Sequence, residues 1–116
     1  MRDEMIYVKL GDEQYPMVFN LNVMEEIQEE YGSVSKWGEI VENNHLEPKI
    51  KDLKKGLLIM INEGIEIENE KGLVREPLTS KKIGRLINKG TLKELIEKVK
   101  NITINSTKVD NNVKNV

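Results

Sequence analysis

The only imidazole in the 116-residue chain is His45. It stands in the polar run Asn43-Asn44-His45, with no serine and aspartate set around it as a nucleophilic triad would need. A histidine in such a run is read as solvated. Glu25, Glu26, Glu29 and Glu30 are the other candidates for chemistry, because residues four apart on a helix are neighbours and paired carboxylates could hold a divalent cation. A hard cation draws oxygens from several directions, carbonyls and waters among them. One helix side does not supply those, so these four residues are read as a solvated acidic face. Cysteine is absent, which excludes disulfides, thiolate metal sites and cysteine nucleophiles. There is no glycine-rich phosphate loop, no Gly-x-Ser-x-Gly, no His-Glu-x-x-His and no dinucleotide fingerprint. The expectation is a chain that is not an enzyme, holds no cofactor or metal, and acts by binding other proteins.

Nucleic acid is the other partner class to weigh. Leu78-Thr79-Ser80-Lys81-Lys82-Ile83-Gly84-Arg85-Leu86-Ile87 resembles the opening helix of a helix-turn-helix unit, with Gly90 as the turn. The following helix would then have to read the major groove. It offers Leu92-Lys93-Glu94-Leu95-Ile96-Glu97-Lys98-Val99, which would set Glu94 and Glu97 against phosphates. No Arg, Asn or Gln stands at its start for base edges. Lys93 with Glu97 and Glu94 with Lys98 have the spacing of surface ion pairs instead. Nucleic acid is not expected as a partner.

The length suits one domain, expected over residues 1–105, with a core that needs no staples. The N-terminus has no apolar signal stretch. The longest apolar run, Leu57 to Ile61, falls far short of the ~20 residues that span a bilayer. A cytoplasmic protein with no membrane partner is expected. Net charge is only −2, but residues 1–31 carry two basic and eight acidic side chains, while residues 79–116 carry nine basic and three acidic. Ends of opposite sign can attract within a molecule or between neighbours.

The elements follow from periodicity. Ile6, Val8 and Leu10 alternate, Gly11-Asp12-Glu13 is turn chemistry, and Tyr15 to Phe19 is extended again, with Pro16 marking an edge or a strand start. This predicts an N-terminal β-hairpin, which must lie on something apolar. Asn22 with Glu25 suggests a capping box for a helix that buries Val23, Met24, Ile27 and Tyr31 and stops at Gly32. A short helix from Ser33 or Ser35 carries Trp37, Ile40 and Val41. From Lys49 to Glu63, the residues Ile50, Leu53, Leu57, Met60 and Ile61 form a core stripe, and Gly64 is read as the stop. Residues 65–76 fit either a second hairpin or a loop. Thr79-Ser80 can cap a helix with Ile83, Leu86 and Ile87 that closes at Gly90. Thr91 with Glu94 opens a last helix with the seam Leu92, Leu95, Ile96, Val99 and Ile102. Residues 106–116 are expected to be a disordered tail. The fold class is thus α+β, mainly α: a hairpin packed on a small bundle of four to five helices.

Three segments carry a resemblance. They are Phe19-Asn20-Leu21-Asn22-Val23-Met24-Glu25-Glu26-Ile27-Gln28-Glu29-Glu30-Tyr31-Gly32, the lysine-led apolar helix ending Met60-Ile61-Asn62-Glu63-Gly64, and Pro77-Leu78-Thr79-Ser80-Lys81-Lys82-Ile83-Gly84-Arg85-Leu86-Ile87. In order and spacing, over roughly residues 5 to 103, the chain is similar to the tail assembly chaperones of long-tailed phages and prophages. The resemblance implies a mainly helical α+β fold. It implies a role in coating the aggregation-prone tape measure protein until tail tube protein polymerises around it. It further implies a chaperone missing from the mature virion, and it allows for a longer product made by ribosomal frameshifting. The rival readings are a small phage-encoded DNA-binding regulator and a structural tail completion or connector protein.

Leu58 lies off the core stripe and Ile59 points nearly opposite to it. A helix apolar on more than one side is either central in its fold or covered by a partner. Met24, Leu58, Ile59 and Met60 are therefore the candidate protein-binding surface, with methionines as adaptable fillers. Opposed end charges would favour head-to-tail self-association.

Overall fold

The computed structural model describes the backbone of residues 5–42 and 49–114, and the side chains as far as Ile104 with Glu42 and Lys89 excepted. Strands β1 (Met5–Leu10) and β2 (Glu13–Val18) form an antiparallel hairpin. They are followed by α1 (Leu21–Tyr31), α2 (Val34–Glu42), α3 (Ile50–Glu70), α4 (Ser80–Leu86) and α5 (Lys89–Lys114). The fold is α+β and mainly α. In the hairpin Val8 pairs with Tyr15 and Ile6 with Met17, so one face carries the alternating apolar residues into the core. Gly11 makes the turn at φ 65, backbone that glycine adopts without a Cβ penalty. Unlike β1, β2 is buried without alternation from Tyr15 to its end at Val18, and Phe19 just after it is buried too.

The reason is α3, which runs past β2 and is the centre of the molecule: β2, α1, α2 and α4 all pack on it. Its length is roughly 31 Å at 1.5 Å per residue. Leu53, Leu57, Met60, Ile61 and Ile65 are within a few per cent of full burial. Of the predicted stripe only Ile50 falls out, 45% exposed in the first turn. Gly64 does not stop the helix. It sits buried inside it, where an added Cβ would lie 2.9 Å from the Pro16 carbonyl oxygen. A glycine that admits a neighbouring strand and a glycine that ends a helix look alike in one sequence. Ile65-Glu66-Ile67-Glu68 consequently continues the helix, and no second hairpin forms among the described residues.

The caps shift in the same way. Asn20, not Asn22, caps α1, its side chain accepting from the Val23 N–H at 3.1 Å. Asn22 is drawn across to α3, where Asn20 and Asn22 donate to Glu63 at 2.8 and 2.9 Å. Gly32 ends α1 at φ 92 as expected, and the Ser33 hydroxyl receives the Lys36 N–H in the next helix. Thr79 caps α4. That helix ends at Leu86, with Ile87 extended, before Gly90 is reached. Asn88, not Thr91, takes the cap of α5 by accepting from the Thr91 N–H. Ion pairs join Lys55 to Glu30 and Arg75 to Glu13, while the expected pairs along α5, Lys93 with Glu97 and Glu94 with Lys98, are not formed. Helix α5 extends to Lys114, through nine residues of the segment expected to be a disordered tail.

Between α3 and α4 the chain is fastened by two asparagines seven apart on α3. Asn62 donates to the Leu78 carbonyl and accepts from the Leu78 N–H at 3.0 and 2.8 Å. Asn69 does the same for Arg75, both at 2.9 Å. Each amide reproduces the donor and acceptor of a backbone group, so the return loop needs no strand to satisfy it. Arg75 then reaches the hairpin, stacking 4.5 Å over the Tyr15 ring and donating to the Gln14 carbonyl.

Candidate protein-binding surface

Successive positions of α3 decide where its off-stripe residues go. At 100° per residue, Asp52 and Glu63 point toward α1, and Lys54 points toward α4. Two observations fit this: Tyr31 of α1 donates to Asp52 at 2.7 Å, and an added Cβ on Gly84 of α4 would meet the Lys54 Nζ at 3.0 Å. Between these flanks a strip of α3 stays open. Leu58, Ile59, Asn62 and Glu66 line a groove there, closed by Glu26 of α1 on one side and by Pro77 on the other.

The four residues expected to form one binding surface are therefore separated. Leu58 is half-buried and lines the groove. Ile59 lines it too but is only 8% exposed, because α1 covers the side that the sequence pattern leaves open. Met60 is wholly buried, since 200° of helix turn from Leu58 carries it into the core. Met24 is half-buried against the core cluster. Of the four, Leu58 and Met24 keep exposed area. The second apolar side of α3 thus reflects its central position in the fold, the first of the two readings its pattern allowed.

A more apolar groove lies elsewhere. Val34, Trp37 and Val41 of α2 face Ile96, Val99 and Ile104 of α5, with Glu39 and Lys100 at its edges. Ile104 is 48% exposed. Trp37, Val41, Ile96 and Val99 were legible as seam residues in the sequence, Val34 and Ile104 were not, and no short-range signal says that α2 and α5 share a groove.

Trp37 anchors this region. Its ring lies against Gly56 of α3, and its indole N–H donates to the Asp52 carbonyl at 2.9 Å. The same residue therefore receives α1 through its carboxylate and α2 through its carbonyl. Burial first, and the bond to Asp52 second, push the Tyr31 phenol above its usual range. The bond to Glu68 is the first cause of a like shift at exposed Tyr7. No side-chain polar atom is buried without a partner among the described residues.

Of the residues with possible chemistry, His45 lies outside the described residues. Glu25, Glu26, Glu29 and Glu30 are exposed along α1. No group of three His, Cys, Asp or Glu side chains is placed to hold a metal ion among the described residues. No helix there is long and apolar enough to cross a membrane. Comparison of the chain with models of protein families, with curated proteins and with solved structures finds no match.

Proposed function

We propose that this chain works without chemistry of its own, as an assembly chaperone that binds an apolar stripe of a helical client. The observation that carries the reading is the open groove between α2 and α5, floored by Val34, Trp37, Val41, Ile96 and Val99. An apolar groove lined by two helices is a common seat for an amphipathic third helix. The resemblance of the three sequence segments gives the client its identity: a tape measure protein, held in the host cytoplasm until tail tube subunits replace the chaperone. A tape measure is a long helical rod with apolar seams, and masking those seams takes many copies of a small protein.

The test is co-expression with the longest coiled-coil-rich reading frame next to this gene, with capture through this chain. A soluble complex holding many copies of the chain supports the proposal. A client that precipitates while this chain runs free ends it. Ile104→Asp, at an exposed edge of the groove, should lower client recovery without unfolding the chain. The rival regulator reading draws on the basic outer side of α4, where Lys81, Lys82 and Arg85 are exposed. A DNA-binding chain would be retained on heparin and released steeply by salt. A structural tail component would be found in finished particles.

A further inference from the structure

The groove over α3 has an apolar floor, Leu58 and Ile59, and three carboxylates in its lining, Glu26, Glu63 and Glu66, against one lysine, Lys55. Lys55 is engaged with Glu30 at 3.7 Å, and Glu63 accepts from Asn20 and Asn22. Glu26 and Glu66 are exposed and have no ion-pair partner among the described residues. The complementary surface is on the same chain. The seven residues of α4 carry Lys81, Lys82 and Arg85 and no acid, and all three are exposed and unpaired among the described residues. Neither face is neutralised within one molecule. Their opposition is local and helix-borne, with only Glu26 of the groove acids drawn from the acidic N-terminal end of the sequence.

We propose that the basic outer face of α4 from a second copy of this chain docks along the acid-walled groove between α1 and α3. Leu58 gives the contact an apolar centre, and Glu26 and Glu66 meet Lys81 and Arg85 of the incoming copy. Groove and α4 are different surfaces, so the contact is heterologous: each copy offers one of each. Attraction between exposed charges falls with ionic strength, because the screening length drops from about 10 Å at 0.1 M to about 3 Å at 1 M salt. Association is therefore salt-sensitive, and it is independent of whether any client binds between α2 and α5.

The experiment is sedimentation analysis of the full chain over a concentration series at low and at high salt. The wild type should rise to at least twice the single-chain mass at low salt and fall back at high salt. Two charge-reversed variants separate the surfaces: Glu26→Lys with Glu66→Lys, and Lys81→Glu with Lys82→Glu and Arg85→Glu. All five positions are exposed, and circular dichroism checks that each variant folds. Each variant alone should keep the single-chain mass. An equimolar mixture should associate again, because the intact α4 of the first meets the intact groove of the second. A wild type that stays a single chain throughout overturns the proposal, as does association that both variants retain. A single-chain wild type whose α4 variant loses only retention on duplex DNA overturns it in favour of a nucleic-acid surface.

Discussion

Gly56 offers a substitution whose sign depends on one neighbour. It lies buried in the second turn of α3, and an added Cβ would fall 2.1 Å from one ring carbon of Trp37 and 2.6 Å from another. In an open helix Gly→Ala stabilises by about 1 kcal/mol, because glycine gives up more backbone freedom. Here the indole must move. Overpacking of this kind costs about 1–3 kcal/mol. Shifting the ring also breaks the bond from the indole N–H to the Asp52 carbonyl, which adds about 1–3 kcal/mol if the donor stays buried and unpaired. The two costs exceed the gain, so Gly56→Ala should destabilise by roughly 1–5 kcal/mol. For a domain near this size, each kcal/mol moves the melting temperature by about 4–8 °C. Urea unfolding followed by circular dichroism measures the loss. Trp37 is the only tryptophan, so its emission reports directly whether the ring has been displaced. The decisive step is to repeat the substitution in a Trp37→Leu background, where the shorter side chain leaves the space free. There Gly56→Ala should be neutral or stabilising by up to about 1 kcal/mol. Equal destabilisation in both backgrounds would refute the argument, because the cost would then not come from Trp37.

Further expectations concern other joints of the fold. Asn62→Ala removes both bonds to Leu78 and should cost about 2 kcal/mol, with faster proteolysis between Lys71 and Thr79 as the local readout; unchanged cleavage would show that the loop is held by other means. The Tyr31 phenol is raised in the folded state, so it contributes stability that is complete below the unfolded value of about 10 and is lost as pH rises above it. Denaturant midpoints measured from pH 8 to 11 should therefore fall more steeply for the wild type than for Tyr31→Phe. Ile59→Asp, which places a carboxylate at a position only 8% exposed, should unfold the chain or shift its melting temperature strongly downward, and a native-like melt would mean that α1 does not cover it. Removal of residues 106–116 should leave the melting temperature nearly unchanged, and a clear drop would show that the far end of α5 contributes to packing.

The readings that held were those fixed by short-range chemistry. The hairpin turn at Gly11, the helix stop at Gly32 and the cap at Thr79 each depend on a few adjacent residues, and each is where the sequence puts it. The readings that shifted depend on what arrives from elsewhere in the chain. Gly64 is set by β2, and Asn22 by Glu63 across the interface with α3. Ile59 is closed off by α1. The groove shared by α2 and α5 brings together residues more than fifty positions apart, and the apolar period within each helix does not say which element it faces. Four residues, Ile65 to Glu68, alternate as a strand would, yet Ile61 and Ile65 are also one helical turn apart, and packing chose the longer period.

The seat of Pro16 on Gly64 also has a consequence for the order of synthesis. The partners are 48 positions apart (64 − 16), and elongation at ~5–20 residues per second puts several seconds between their appearances. A two-stranded hairpin is marginal by itself in water, and β2 is buried from Tyr15 onward by elements that follow it. During translation the hairpin therefore waits as an unsupported apolar ribbon until α3 has cleared the ribosome. The slow elongation of residues 19–64, not the folding of any one helix, sets the interval in which this chain is most exposed to capture by its neighbours.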